Sequence, residues 1–199
     1  MEIVPVTTSQ LSASPAITAP RYNDDVPFTV RDFEPADFET LWRLDQECFP
    51  LGISYSRAEL KAYMRRNGSF TLVAAAVAPP SVVIPASGRS TRHFPATAPA
   101  NVAGFIVAEA DGRAHGHIIT IDVIASARRS GVGSLLLRSA EDRLHAAHCS
   151  SIELETAVDN MSALSFYKRH AYSVIRTFPR YYSNGVDALV LQKELGAAS

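Results

Sequence analysis

A chain of 199 residues carrying a formal net charge of −1, with 47% apolar and 20% charged residues, is long enough for one domain with a substantial core. The near-neutral balance excludes a global electrostatic pull towards nucleic acid or an anionic membrane. Two cysteines, Cys48 and Cys149, are too few for a disulfide framework, and Met1-Glu2-Ile3-Val4-Pro5 lacks the basic start and apolar core of a secretory leader, so a reduced, cytoplasmic setting is expected.

Residues 1–25 are rich in Ser, Thr, Ala and Pro without a sustained period, and read as a flexible tail ahead of a single domain over 26–196. Phe28 to Arg31 alternates as a short strand. Pro35-Ala36-Asp37-Phe38 opens a helix with Phe38, Leu41, Leu44 and Cys48 on one face, which Phe49-Pro50-Leu51-Gly52 stops. Ser56 is a candidate N-cap for a helix from Arg57 to about Arg66, ended by Asn67-Gly68. Ser69 to Val77 reads as a strand. Residues 78–101 then carry Pro79, Pro80, Pro85, Pro95 and Pro99 among Ser, Ala and Thr, the composition of an insertion between strands. The most apolar stretch, Leu72 to Ala86, is cut by prolines and too short to span a bilayer.

Val102 to Ala110 is the next strand, and Asp111-Gly112 turns the chain towards another at His117. Ile118, Ile119, Ile121, Val123 and Ile124 make a nearly continuous β-branched run, the pattern of a strand covered on both faces. Val132, Leu135, Leu136, Ala140 and Ala147 then recur at helical spacing. Ser151 to Glu155 forms a strand, and Asp159 can cap a helix running to His170. A strand–helix–strand unit of this length implies a parallel crossover. Two last strands flank Asn184-Gly185, a strong hairpin signal, with Pro179 restricted to an edge. The sum is an α/β (α+β) domain, a mixed sheet with helices packed on it.

Between the central strand and its helix lies Arg128-Arg129-Ser130-Gly131-Val132-Gly133. Glycines one residue apart let backbone N–H groups converge, and the helix adds its unpaired amides and the positive end of its dipole. Such a turn is an anion site, best filled by a diphosphate. No GxxxxGK[ST] run makes it a P-loop, and Leu136 stands where a dinucleotide fold needs its third glycine. A tight turn with no ligand would show the same two glycines; the surrounding arrangement argues against it.

Four pieces recur in order: Ile119 to Gly133, Leu154-Glu155 with Asn160, Ala163 with Phe166-Tyr167-Lys168, and Tyr181 to Ala188. With them the chain from about Phe28 to Leu195 resembles the GCN5-related N-acetyltransferases (GNAT), and among these the RimI-like protein N-terminal acetyltransferases. The resemblance implies a twisted, mostly antiparallel sheet with one parallel β-α-β crossover. It further implies acetyl-CoA as donor, with direct attack by an amine, most simply the α-amine of a protein N-terminus. A small-molecule amine or a lysine as acceptor stays open, as does a non-catalytic acyl-CoA-binding module or subunit of an acetyltransferase assembly. So does the oligomeric state, monomer or dimer. The chain departs from the family's pattern at Ala127, where a Tyr is common, at Ala171-Tyr172, where Gly-Phe is usual, and at Val186, where Glu is frequent.

By that resemblance the diphosphate lies on Arg128, Arg129, Ser130, Gly131, Val132, Gly133 and Ser134, and the acyl arm along Ile121, Val123 and Asn160. A backbone N–H near Val123 would hold the oxyanion. Tyr167, two helical turns beyond Asn160 and on its face, would protonate the departing thiolate; a core aromatic beside Phe166 would show the same spacing. Glu155 is the general base by resemblance, with a solvated strand-end carboxylate as its plain alternative. His117 is the competing base, since an imidazole titrates in the useful range. Phe49, Pro50, Leu51 and Tyr55 would wall the acceptor pocket, faced by Tyr181 and Tyr182. Cys48 and Cys149 have no partner pattern for nucleophilic work and read as packing, and the six histidines show no metal-ligand spacing.

Overall fold

Leu72, Val73 and Ala74 are successive and all buried, yet Leu72 and Ala74 belong to one apolar cluster and Val73 to another. That alternation places the sheet between two helical layers. In the computed structural model, residues 28–50, 52–76 and 102–196 are described. The expected tail (1–25), the insertion (78–101) and Leu51 lie outside the described residues.

The strands are β1 (Phe28–Asp32), β2 (Ser69–Ala76), β3 (Val102–Ala110), β4 (His115–Val123), β5 (Ser151–Ala157), β6 (Ser173–Phe178) and β7 (Ala188–Glu194). They form one sheet in the order β1-β2-β3-β4-β5-β7-β6. Every pairing is antiparallel except β4 with β5. The helices are α1 (Phe38–Cys48), α2 (Arg57–Met64), α3 (Val132–Ala146) and α4 (Met161–Arg169). Leu136, Leu137, Ala140 and Leu144 of α3 join Ile106, Ile118, Ile152, Leu154 and Tyr167 in the larger core. Leu41, Leu44 and Leu60 of α1 and α2 close over Val73, Phe105 and Val107 on the opposite face. No helix among the described residues is long and apolar enough to cross a membrane.

Two local features open the sheet at its centre. The parallel ladder runs only from His115 opposite Ser151 to Ile118 opposite Leu154. Beyond it, among the described residues, β4 pairs only with β3, and β5 only with β7. At the same level the β3–β4 register slips, with Val107 opposite Thr120 but Ala108 opposite Ile118, leaving Ile119 as an extra residue. An inserted residue bends its strand and exchanges the faces downstream. Ile118 therefore joins the core under α3, Ile119 the cluster under α1, and Ile121 and Val123 the α3 side again. Both faces of β4 are thus covered by apolar packing, as expected, with the faces exchanged at Ile119. His117, Ile119, Ile121 and Val123 are only half-buried, because they line the wedge.

Helix and turn boundaries differ modestly from expectation. Helix α2 ends at Met64, with Ser56 and Glu59 forming a reciprocal capping box. The cap of α4 is Asn160, whose Oδ1 accepts the Ala163 N–H at 3.1 Å, rather than Asp159. Asn184-Gly185 turns at the tip of a longer loop, because β6 stops at Phe178 ahead of Pro179, which has no N–H to extend the ladder. Ala171 follows α4 with a φ of 67°. Left-handed backbone costs an alanine about 1 kcal/mol that a glycine does not incur. Ala171→Gly is expected to raise stability by about 0.5–1 kcal/mol, read from the urea midpoint.

Candidate active site

The wedge between β4 and β5 holds two joined cavities. One, of about 460 Å³, is walled by the loop after α1, by β4 and β5, and by the β6–β7 loop. The other, of about 550 Å³, runs along the start of α3 towards α4. Cys48, Phe49, Ile121, Asn160, Ala163 and Tyr167 stand on both, which puts Tyr167 at the junction.

The α3 arm has the backbone geometry of a turn whose amides converge. Arg129 and Gly131 both adopt left-handed φ, 64° and 92°. Alternating hands along a chain turn successive amides into one concavity. The first helical bond runs from the Leu135 N–H to the Gly131 C=O. The amides of Val132, Gly133 and Ser134 therefore have no partner one turn back. Arg128, Arg129 and Arg169 add cationic side chains to the walls. Sequence reasoning missed Arg169 and Phe166, which become neighbours of this arm only once α4 packs beside α3.

Several expected groups sit differently from their residue types alone. The Val132 side chain is fully buried in the core, so only its backbone can face a ligand. The Ser130 hydroxyl donates to the Ala127 C=O at 2.6 Å, and the Ser134 hydroxyl is 2.9 Å from His170 Nε2. A Cβ on Gly133 would lie 3.4 Å from Phe166 and 3.8 Å from Val123, in the cavity rather than in the nest of amides. Arg128 folds back, its Nε donating to the Val123 C=O at 3.0 Å, and the Cys48 thiol donates there at 3.5 Å. A strand residue's N–H and C=O leave by the same edge, so the Val123 N–H also faces the wedge. Cys48 is corrected from plain packing: it is half-buried on both cavity walls, and burial pushes its thiol up to about 11.

In the other cavity, the two candidate bases are one unit. His117 Nε2 and Glu155 Oε2 lie 2.7 Å apart across the last rung of the parallel ladder. Burial pulls the imidazole down, but the hydrogen bond and charge of Glu155, with the charges of Glu109 and Glu153, outweigh it and raise His117 above its ordinary pKa. Phe49, Pro50, Tyr55, Tyr181 and Tyr182 share this cavity with them, joined by Ile53 and Tyr63, which the sequence reading did not single out. The two facing loops are tied by the Ser183 hydroxyl donating to the Gly52 C=O at 3.0 Å. Tyr167 is 5% exposed, and burial raises its phenol well above the usual range, with Asp122 and Tyr182 adding to the shift. Among the described residues no group of His, Cys, Asp and Glu is arranged to hold a metal ion.

The model of the acetyltransferase (GNAT) family matches residues 38–172. The chain belongs to that family. This GNAT chain is 36% identical over 102 residues to an uncharacterised N-acetyltransferase, MJ1530, of Methanocaldococcus jannaschii, covering 45% of this chain and 65% of that one. Over 77 residues it is 36% identical to human N-alpha-acetyltransferase 30, covering 39% of this chain and 21% of the relative. The match thus spans less than two thirds of either relative's length. In three dimensions it is similar to Ard1 from Thermoplasma volcanium, at a TM-score of 0.68 and 25% identity over 85% of this chain and 99% of that one. A NatC complex bound to Gag peptide and CoA shares the fold, at a TM-score of 0.67 and 21% identity over 84% and 98% of the two chains.

Proposed function

We propose that this GNAT domain transfers an acetyl group from acetyl-CoA to the α-amine of a protein N-terminus by direct attack. The observation that carries the reading is the hydrogen-bonded His117–Glu155 pair facing one arm of a wedge whose other arm ends in an anion-binding nest. The nest suits a diphosphate: its amides converge, its helix dipole favours anions, and Arg128, Arg129 and Arg169 stand on the walls of its cavity. A NatC complex that shares this fold was solved with a Gag peptide and CoA, the two kinds of ligand this reading assigns to the wedge.

When bound, acetyl-CoA supplies an activated acyl group on a thiol leaving group. The residues of this chain do the rest. Arg129 to Ser134 would hold the diphosphate, and the open edge of β4 at Ile121 and Val123 would align the acyl arm. The Val123 N–H, already directed into the wedge, would stabilise negative charge developing on the acyl oxygen. His117 Nε2, held by Glu155, would receive a proton from the acceptor amine. An α-amine of pKa near 7.7–8 needs far less help than a lysine near 10.4, which fits a base lifted only above the ordinary histidine value. The Tyr167 hydroxyl would give its proton to the departing sulfur.

A CoA-release assay over peptides with varied first residues, a peptide with a blocked N-terminus and one free lysine, and small amines tests the reading. Rates that depend on the first residue, with the blocked peptide poor, are the expected outcome. A preference for lysine or a small amine would replace protein N-termini as the acceptor class. A second expectation concerns the nest arm. Gly133→Ala should bind CoA nearly normally, since its methyl meets Phe166 at ordinary contact distance. Gly133→Leu should weaken binding by about tenfold or more, as branched carbons must displace Phe166 or enter the cavity. Equal affinities by calorimetry would remove Gly133 from the binding surface.

A further inference from the structure

The wall opposite the His117–Glu155 pair hangs on one buried carboxylate. Asp45, on the inner face of α1, is 0% exposed. Its Oδ2 accepts the Tyr55 N–H at 2.8 Å and the Gln46 side-chain amide at 2.9 Å. That amide nitrogen also donates to the Tyr55 C=O at 2.8 Å, and Trp42 Nε1 donates to the same carbonyl at 3.2 Å. Both backbone polar groups of Tyr55 are thereby tied to α1. The Tyr55 hydroxyl reaches the other way, donating at 3.3 Å to the C=O of Ile119, the extra residue of β4. Tyr55 is thus the strut that spans from α1 to the wedge.

An acid at this position carries a desolvation cost that only its hydrogen bonds offset. Burial lifts Asp45 to about 6, against the Tyr55 and Gln46 hydrogen bonds that favour its charge. Among the described residues its Oδ1 has no hydrogen-bond partner, and neither has Oδ1 of the buried Asp122 nearby, whose charge and that of Asp45 oppose one another. An apolar side chain of similar volume would fill the inner face of α1 without that desolvation cost. What such a residue could not do is accept the Tyr55 N–H.

We infer that Asp45 is a positioning residue for the acceptor pocket, setting the distance from β4 of the wall that Phe49, Pro50, Ile53 and Tyr55 form, through the Tyr55 backbone; this rests on the acetyl-transfer reading above.

The test compares Asp45→Leu with Asp45→Asn, whose amide oxygen can still accept the Tyr55 N–H. With the best amine of the panel, Asp45→Leu should raise acceptor KM by about tenfold or more, with kcat within a few-fold and acetyl-CoA affinity unchanged. Asp45→Asn should return KM to within about twofold of the native value. An unchanged KM in the leucine variant, or an asparagine variant as impaired as leucine, would overturn the inference. Should Asp45→Leu fail to fold, Gln46→Ala decides. Gln46 is exposed and holds the Tyr55 C=O, so its loss should raise acceptor KM by about threefold, and no rise would refute the clamp. If the native protein acetylates no amine, the functional reading falls. Amide exchange in the free protein then judges the clamp: faster exchange at Tyr55 in the leucine variant but not the asparagine one supports it, and equal exchange overturns it.

Discussion

Replacing Tyr167 with phenylalanine is expected to lower kcat by about a hundredfold while leaving CoA affinity within about twofold of native. The ring itself has a packing role, set edge-on against Phe166 at 5.2 Å and Tyr172 at 5.5 Å. Phenylalanine keeps those contacts, so the substitution isolates the hydroxyl. That hydroxyl belongs to a residue at the junction of the two cavities, where a leaving group from one arm and a nucleophile from the other would meet. Burial holds the phenol protonated throughout the working range, so its proton is always available and Tyr167 should contribute no limb to the pH–rate profile below pH ~10. Steady-state kinetics with native turnover in Tyr167→Phe would reduce Tyr167 to a core residue.

Glu155→Gln should have the second large effect, a fall in kcat/KM of about a hundredfold, and should also displace the pH profile. A base must be unprotonated to act, so native activity should rise with pH as His117 passes through its folded pKa, which lies above the ordinary 6.5. In the glutamine variant the carboxylate that lifts the imidazole is gone while burial still pulls it down. The rising limb should therefore move to lower pH even as the rate falls. Stability runs the other way. A histidine with a raised folded pKa stabilises the fold fully below its unfolded value near 6.5, and this contribution is lost as pH rises through the folded pKa. Melting temperature and activity should thus trend in opposite directions across that window in the native protein, and the opposition should weaken in Glu155→Gln. A limb that stays in place would assign the titration to another group.

The order and type of elements could be read from local pattern because β-branched runs, helical spacing and capping residues act within a few residues of each other. Ser56 shows this: its partner Glu59 stands three residues on, and the helix begins as the pair requires. Val102–Ala110 is the expected strand for the same reason. Asn160 defeated the reading because Asp159 has equal capping chemistry, and only the path of the chain out of β5 decides which of the two side chains meets the Ala163 amide. The face exchange in β4 was hidden because the extra residue is defined by the register against β3, a relation between segments rather than within one.

The turn ahead of α3 belongs to the first class. A left-handed Gly131 at the mouth of an apolar-periodic helix leaves the first amides unpaired one turn back whatever the rest of the chain does, since φ and hydrogen-bond geometry are local. The joining of His117 to Glu155 belongs to the second. They stand 38 positions apart, on strands that touch for only four rungs before the wedge opens. Asp45 is the same case: its helical spacing marks it as a residue near the inner face of α1, while the Tyr55 amide it holds is ten positions away, beyond an irregular loop. Along the sequence this protein determined its described elements and the glycine turn ahead of α3. Which side chains share a proton, and which hold a wall in place, was decided only when the sheet closed, because hydrogen bonds act over about 3 Å and nothing in the linear order sets such distances between strands.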